Sequence, residues 1–194
     1  MRTLAIALTG ASGIVYGTTL VDYLLENTNI VLWVSFSKKA SEISLIENGI
    51  DLTTYFSSLC KAYEGRLHVF REDDFNSPLA SSSSAPDSMV VVPCSMKTLG
   101  ELASGIATNV ITRAALNVLR LRRKLVVVPR ETPLGPVELS NMLKLAVSGA
   151  IILPAMPAFY HKPKTVEDLV NFIVGKILDV LNLSHSLYRR WTEV

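Results

Sequence analysis

Polar, glycine-rich or charged residues follow each predicted strand of this chain, at the point where the strand ends. The five segments are residues 9–13, 37–38, 93–95, 129–131 and 154–160. In an open parallel sheet, ligands bind outside the carboxyl ends of the strands. Because all five segments fall at such ends, we predict that they form one ligand site along one edge of a sheet.

The first segment reads Gly10-Ala11-Ser12-Gly13. Glycines permit a tight turn and let backbone N–H groups approach a phosphate at a helix N-terminus. The spacing lacks the G-x-G-x-x-G of dinucleotide folds and the lysine of a P-loop. A phosphate contact and a purely structural turn are therefore equally good interpretations, and Ser12 is either a ligand hydroxyl or a helix N-cap.

Hydroxyl side chains stand at two further strand ends. Ser37 either caps the next helix or accepts a ligand group. Ser95 and Thr98 lie three residues apart at a helix start, where they can share a phosphate with the free N–H groups of the first turn. An ordinary N-cap is the alternative. Cys94 has no histidine near it in sequence, so we expect a buried, unreactive thiol.

Six cations and no acid occur between Arg113 and Arg130. We expect residues 122–124 to be solvated at a helix end, where the helix dipole favours positive charge. Arg130 differs, because it follows a buried strand, and a cation placed there normally meets an anion. An internal bridge to Glu131 or to another carboxylate is the alternative.

Residues 156–163 place Phe159 and Tyr160 between prolines, which predicts a rigid loop that can wall a pocket. We interpret His161, which precedes a lysine, as a surface residue, with an acid/base group as the alternative. The histidines are scattered and no metal-ligand spacing occurs, so we expect no metal site. Phosphate chemistry would then use Arg and Lys in place of Mg²⁺.

The elements that must position these residues alternate between short apolar runs and segments of helical spacing. The predicted strands are residues 4–8, 30–35, 89–92, 125–128 and 149–153. The predicted helices are residues 17–27, 38–48, 98–123, 139–148 and 166–181, with small residues at 103–107 marking a break or close packing. The pattern predicts an α/β fold, a Rossmann-like or flavodoxin-like parallel sheet with helices on both faces. By composition, the serine-rich segment 76–86 is typical of a flexible linker.

Length and composition narrow the class of protein. We expect 194 residues to form a single domain, residues 1–194. The net charge of +2 gives no reason to expect nucleic acid or a membrane surface, and the longest apolar stretch is too short to span a bilayer. Two cysteines make no disulfide framework, which indicates a reducing, cytoplasmic location. An apolar content of 49% favours burial of part of the surface in a homo-oligomer.

Six motifs occur along the chain in this order: TGASG, SSSSAP, PCSMKTL, TRAA, VPRETP and AMPAFYHKP. Together, over roughly residues 2–191, the chain resembles the UbiX-type flavin prenyltransferase family. The resemblance implies bound FMN, a homododecamer, and transfer of a dimethylallyl group from dimethylallyl monophosphate to N5 and C6 of reduced FMN without a metal. It also implies that prenylated FMN is handed to a UbiD-type decarboxylase.

The resemblance further assigns site residues. The FMN-binding positions are Gly10, Ala11, Ser12, Ser37, Ser95, Met96, Lys97, Thr98 and Arg130. The prenyl phosphate positions are Tyr160 and Lys176. The catalytic positions are Ser12, Glu47, Arg113, Arg120 and Glu131. Ser12 is expected near N5, so that the first loop lies along the flavin. The candidates for moving the C6 proton are Glu47 and Glu131, alone or with the released phosphate.

The resemblance changes two other expectations. The serine run becomes a ligand-proximal loop. The C-terminal helix and tail, about residues 166–194, complete the active site or oligomer contacts, with Trp191 joining Tyr160 in stabilising an allylic cation.

Two other functions fit part of the pattern. An FMN-dependent cysteine-type decarboxylase would share the fold and the cofactor. A non-catalytic flavin carrier or accessory subunit would need no cluster of Arg113, Arg120 and Lys176 in addition to the residues that bind the flavin. A nicotinamide oxidoreductase is disfavoured, because the second strand ends without an acidic residue for a ribose.

Overall fold

The computed structural model of the chain describes residues 2–193, which form a six-stranded parallel sheet between two layers of helices. The strands are β1 Thr3–Leu8, β2 Val31–Phe36, β3 Leu67–Arg71, β4 Ser88–Cys94, β5 Lys124–Pro129 and β6 Ile151–Ile152. The helices are α1 Ile14–Asn27, α2 Lys38–Asn48, α3 Leu52–Ala62, α4 Met96–Ala103, α5 Val110–Arg120, α6 Pro136–Val147 and α7 Val166–Leu181. Short 3₁₀ turns occur at Pro78–Ala80 and Trp191–Glu193.

The strand order is β3-β2-β1-β4-β5-β6, with β1 in the interior of the sheet. Ile6 of β1 pairs with Val34 of β2 on one side and with Val90 of β4 on the other. This is the doubly wound order, which reverses direction between β1 and β4. The predicted fold class is confirmed. Within residues 2–193, none of the helices has the length and apolar character needed to cross a bilayer.

Two elements, α3 and β3, were missing from the sequence prediction. Only Leu52 and Phe56 of α3 are buried. β3 lies at the edge of the sheet, and its outer positions include the exposed His68 and Arg71. An edge strand covered on part of its surface does not need a continuous apolar run, so its sequence carries little signal.

The predicted helix 98–123 proves to be two helices. α4 ends at Ala103, and Gly105 adopts a left-handed conformation with φ 70°. Asn109 then starts α5 with a capping box to Thr112. A left-handed glycine ends a helix and an Asn cap begins the next one. Of the two interpretations given for the small residues at 103–107, a break is the one that the structure shows.

Alternate residues of the central strands face two separate cores. Leu4, Ile6 and Leu8 of β1 pack on the side of α1 and α7. Ala5 and Ala7 pack on the side of α4 and α5. A parallel strand covered on both faces must be apolar at every position, which explains why β1 could be recognised in the sequence.

Gly17 allows α1 to lie directly against the sheet. A Cβ at Gly17 would lie 2.7 Å from the Val92 carbonyl oxygen and 2.8 Å from Leu8 Cγ. Because the Val92 contact is to backbone, we expect Gly17→Ala to lower the free energy of unfolding by about 1–3 kcal/mol, as overpacking does. Urea denaturation measures this loss.

Gly100→Ala is the matched control for that experiment. Gly100 lies in α4, and a Cβ there would meet only Asn141 Nδ2, at 3.6 Å. Alanine is favoured over glycine in a helix by about 1 kcal/mol, so this variant should unfold no more readily than the parent. An equal loss of stability in both variants would show that the close approach at Gly17 is not the cause.

Candidate active site

Thr9 joins the carboxyl ends of β1 and β4, where the strand order reverses. Its hydroxyl donates to the Pro93 carbonyl at 2.9 Å and accepts from the Ser95 N–H at 2.8 Å. A cleft of about 580 Å³ opens at these strand ends. The predicted site residues that line it are Gly10, Ser37, Ser95, Met96, Lys97, Thr98 and Glu131. The structure therefore brings residues from four strand ends together.

The cleft also contains residues that sequence reasoning missed, above all Glu72. Glu72 follows β3, and its carboxylate accepts from the Lys38 N–H at 2.8 Å and from Asn109 Nδ2 at 3.2 Å. It thus ties the starts of α2 and α5 to the end of β3. Since β3 was not recognised, nothing in the sequence marked Glu72 as a strand-end residue.

The start of α4 provides anion-binding geometry within the cleft. Ser95 Oγ accepts from the Thr98 N–H at 3.2 Å and donates to Thr98 Oγ1 at 3.1 Å. Ser37 caps α2 in the same way, accepting from the Ala40 N–H at 3.1 Å. First-turn N–H groups have no partner within their helix and carry partial positive charge. Both serines are therefore N-caps, and both also face the cleft.

The N–H groups at the start of α1 are instead occupied by Glu47. Its carboxylate accepts from the Gly13 N–H at 2.9 and 3.2 Å and from the Ile14 N–H at 3.4 Å. A carboxylate is favourable at a helix N-terminus for the same reason as a phosphate. Glu47 thus already occupies the Gly13 and Ile14 donors at the start of α1, and the phosphate contact predicted for the first loop stays a prediction.

Tyr16, which sequence reasoning did not single out, lies beside Glu47. A Cβ at Gly13 would lie 2.6 Å from Tyr16 Cε2, so the ring covers the first loop. Burial raises the pKa of the Tyr16 phenol, nearby Arg130 opposes that rise, and Glu47 adds to it. Tyr16, Glu47 and Arg130 therefore share one electrostatic environment. The signal that could have found Tyr16 is its position one helical turn after Gly13.

Arg130 Nε is buried and has no hydrogen-bond partner among residues 2–193. The alternative, an ion pair between Arg130 and Glu131, is not found among residues 2–193. The Glu131 carboxylate instead accepts a hydrogen bond from the Thr132 N–H at 3.0 Å. Burying an unsatisfied donor is costly. Arg130 therefore fits a ligand that supplies an acceptor.

Tyr160 and Lys176 meet in an aromatic cluster built by the C-terminal segment. The Tyr160 ring lies edge-on to Trp191, with centroids 5.2 Å apart. Lys176 Nζ lies 5.4 Å from the centroid of Phe172 and 4.9 Å from that of Tyr188. The cluster thus places a cation beside two buried rings, Phe172 and Tyr188, and also contains the exposed ring of Trp191.

The loop before this cluster is bonded to the end of β5, and the position of His161 in it corrects one expectation. The Ala155 N–H donates to the carbonyl of Pro129, the residue before Arg130, at 3.1 Å. His161 is not a surface residue: its ring stacks on Phe172 with centroids 5.0 Å apart, and both ring nitrogens are buried. The C-terminal segment covers this histidine, which its immediate sequence neighbours could not reveal.

The serine-rich segment is anchored, so the interpretation as a flexible linker is wrong. The Ala80 carbonyl accepts from Arg113 Nε at 3.1 Å and from Asn117 Nδ2 at 3.3 Å. Arg123 donates to the Pro86 carbonyl at 3.1 Å. Composition indicated mobility, but the carbonyl groups of this segment are satisfied by α5 and the residues that follow it.

Arg113 and Arg120 do not line the cleft within one chain. Arg120 is the last residue of α5, close to the start of β5 and so to the opposite edge of the sheet. It donates to Asn117 Oδ1 at 3.0 Å. It also lines a separate cavity of about 540 Å³, together with Arg122 and Arg123.

Cys94 is fully buried, and burial raises the pKa of its thiol. The expected burial of Cys94 is therefore confirmed, and a raised thiol pKa disfavours the thiolate, which is the nucleophilic form. Within residues 2–193, no group of three or more His, Cys, Asp or Glu side chains is arranged to hold a metal ion.

Comparison with known proteins identifies the relatives of this chain. A family model described as Flavoprotein matches residues 1–178. Flavin prenyltransferase UbiX of Methanocaldococcus jannaschii is 43% identical over 190 residues, which cover 97% of this chain and 98% of that protein.

Two solved structures share the fold over nearly the whole chain. The dodecameric FMN-dependent UbiX-like decarboxylase from Escherichia coli O157:H7 has a TM-score of 0.90 at 36% identity, covering 98% of this chain and 99% of that one. AnUbiX (PadA1), in complex with FMN and dimethylallyl pyrophosphate, has a TM-score of 0.88 at 36% identity, covering 98% and 97%.

The doubly wound sheet, the cleft at its switch point and the family match define this protein as a flavoprotein. Within that class, the chain belongs to the UbiX flavin prenyltransferase family, and it is a transferase.

Proposed function

We propose that the enzyme joins a dimethylallyl group from dimethylallyl monophosphate to N5 and C6 of reduced FMN. The N5–carbon bond forms as the carbon–oxygen bond to phosphate breaks and N5 loses its proton. The prenyl double bond then takes up a proton, and its tertiary carbon bonds to C6, which loses its own proton. The observation that carries the proposal is the position of the Tyr160–Trp191–Lys176 cluster. The loop that leads to it begins at Ala155, which is bonded to Pro129, two residues before Glu131 of the cleft.

FMN would be held by the cleft residues. The FMN phosphate fits the start of α4, where Ser95 and Thr98 supply hydroxyls and the helix supplies N–H donors. Arg130 would donate its buried Nε–H to the flavin nucleotide. Ser12 lies in the loop beside Gly13 and would orient the reacting ring. Reduced FMN would supply an electron-rich N5 as the nucleophile.

Lys176 and the aromatic rings would handle the prenyl phosphate. The Lys176 ammonium neutralises the leaving phosphate, the task that a metal performs elsewhere. The faces of Tyr160 and Trp191 stabilise positive charge on the allylic carbon, and a desolvated cation–π contact is worth about 2 kcal/mol. Trp191 is 71% exposed, so its ring is accessible to a ligand.

Arg113 and Arg120 would act on the site of a neighbouring copy in a homododecamer. Leu139, Leu143 and Val147 lie at four-residue spacing along α6 and are 53%, 65% and 82% exposed. An apolar stripe of this kind is typical of a protein contact surface. Val147 also lines the Arg120 cavity, so this stripe leads directly to the basic residues.

The cellular role follows from the proposed product. Prenylated FMN would be passed to a UbiD-type decarboxylase. Both cysteines are free thiols, which favours the reducing cytoplasm as the location. The near-neutral net charge of +2 gives no support to a nucleic-acid partner.

An anaerobic turnover assay tests the proposal. The protein is mixed with FMN, dithionite, dimethylallyl monophosphate and EDTA, and the extracted flavin is analysed by mass spectrometry. We expect a flavin heavier by one C₅H₈ unit and release of inorganic phosphate. EDTA should not prevent turnover, because Arg and Lys take the place of a metal.

Dimethylallyl diphosphate serves as the matched substrate, since its turnover would release pyrophosphate instead. Unchanged FMN with both substrates, in protein shown to be folded and flavin-loaded, would refute prenyl transfer. Turnover that occurs only with added Mg²⁺ would refute the role given to Lys176.

A further inference from the structure

Asp179, near the end of α7, accepts hydrogen bonds from three side chains of the tail that follows the helix. The donors are His185 Nε2 at 3.0 Å, Arg190 Nη2 at 2.8 Å and the Tyr188 hydroxyl. Burial opposes ionisation of Asp179, but the hydrogen bonds from Arg190, Tyr188 and His185 outweigh it and lower the pKa of the carboxyl to about 2. At neutral pH the tail is therefore held by a carboxylate.

The orientation of His185 is determined from both sides of its ring. The Leu187 N–H donates to His185 Nδ1 at 3.2 Å, so the other nitrogen, Nε2, carries the proton donated to Asp179. The His185 side chain is 1% exposed. A buried ring with both nitrogens bonded can occupy only one orientation, which makes it a specific contact between the tail and α7.

Gly175 provides an independent sign that the tail belongs on this helix. A Cβ there would lie 2.6 Å from Tyr188 Cδ1 and 2.8 Å from His185 Cε1. Glycine is unfavourable inside a helix relative to alanine. Its presence in α7 is explained by the two tail rings that lie against it.

We propose that Asp179 is a positioning residue for prenyl transfer: it holds residues 183–191 on α7 and so places Trp191 against Tyr160 and Tyr188 beneath the Lys176 ammonium. Asp179 itself does not touch the substrate and acts through the tail. The inference rests on the proposed function, because it takes Tyr160 and Lys176 as the groups that bind the prenyl phosphate.

Two effects of removing the Asp179 charge oppose each other. Lys176 Nζ lies 4.0 Å from the Asp179 carboxylate, and the Lys176 side chain is 41% exposed. Releasing Lys176 from this weak ion pair would tighten binding of the prenyl phosphate by at most about five-fold. Loss of the charge-assisted hydrogen bonds from Asp179 to the tail would weaken binding of the prenyl phosphate by about ten-fold or more. The net expectation is weaker binding of the prenyl phosphate.

Hydrogen exchange of the full-length, FMN-loaded protein tests whether Asp179 holds the tail. Asp179→Asn is expected to speed exchange of the amides in residues 183–191. Glu167→Gln is the control, since it removes one exposed negative charge from the same helix. Gly175→Ala leaves Asp179 intact but places a Cβ too close to the Tyr188 ring, so this variant is expected to reproduce the faster exchange. Circular dichroism and FMN titration establish that each variant is folded and loaded.

Steady-state kinetics test whether the tail matters for the reaction. In Asp179→Asn, we expect the KM for dimethylallyl monophosphate to rise about ten-fold or more, with a smaller change in kcat and with FMN affinity within about two-fold of the parent. Glu167→Gln should match the parent in all three. A purely structural role would lower the amount of active enzyme and leave KM unchanged.

Two results would overturn the inference: tail exchange in Asp179→Asn equal to that of the parent, or faster exchange with an unchanged or lower KM. If the parent makes no prenylated FMN, the proposed function fails and the kinetic part of the inference fails with it. The exchange experiment then still decides whether Asp179 holds the tail.

Discussion

Glu47→Gln is expected to lower kcat for prenyl transfer by about 10²- to 10⁴-fold, the usual contribution of a positioned general base. The Glu47 carboxylate is fixed beside Ser12 by the N–H groups of Gly13 and Ile14. Glutamine keeps an acceptor for these N–H groups, so the fold and FMN affinity should be preserved. Stopped-flow absorbance of the bound flavin under anaerobic conditions measures the rate.

Glu131→Gln separates the two carboxylates that can remove the C6 proton. Glu131 is exposed at the rim of the cleft and bonds to the Thr132 N–H next to it in the chain. We therefore expect a smaller loss, below about ten-fold. Glu64→Gln, an exposed position on the connection between α3 and β3, is the surface control. A large loss in Glu131→Gln together with a normal rate in Glu47→Gln would assign the proton transfer to Glu131.

Arg130→Met is expected to raise the Kd for FMN by about 10- to 150-fold, because a hydrogen bond to a charged group is worth about 1.5–3 kcal/mol. The same substitution should leave the FMN-free protein equally stable or more stable. The reason is that Arg130 Nε is buried without a partner among residues 2–193, and methionine removes that unsatisfied donor. Quenching of flavin fluorescence gives the Kd, and urea denaturation of the FMN-free protein gives the stability.

Arg71→Met is the matched control, since it also replaces a guanidinium by a thioether. Arg71 bonds to Asp73 at 2.9 and 2.7 Å, and its side chain is 83% exposed. We expect FMN affinity within about two-fold of the parent, as for an exposed ion pair. Loss of stability in FMN-free Arg130→Met would instead mean that Arg130 supports the fold and not the ligand.

The interior strands could be predicted because burial on both faces leaves no room for polar residues. β1, β2, β4 and β5 were found within a few residues of their observed ends. β3 was not predicted, because an edge strand tolerates polar and charged residues such as His68 and Arg71. Small residues indicated a break between α4 and α5, but the left-handed conformation of Gly105 that makes the break depends on packing.

Much of the candidate site followed from one rule, that residues after parallel strands share an edge. This rule found Ser37, Ser95 and Arg130, which do lie at strand ends. It could not find Glu72, whose strand was missed, or Tyr16, which lies inside a helix. Neither could it show that Arg113 and Arg120 lie away from the cleft within one chain, since helix faces are set by packing.

The sequence by itself determined the layered fold and the residues at the strand ends, because both depend on local patterns of burial and turn chemistry. The tertiary structure decided which partners those residues meet. It placed Glu47 on the donors of the first loop, left Arg130 Nε without a partner among the residues described, and laid the tail on Asp179. These contacts join residues far apart in the chain, so no local pattern could reveal them.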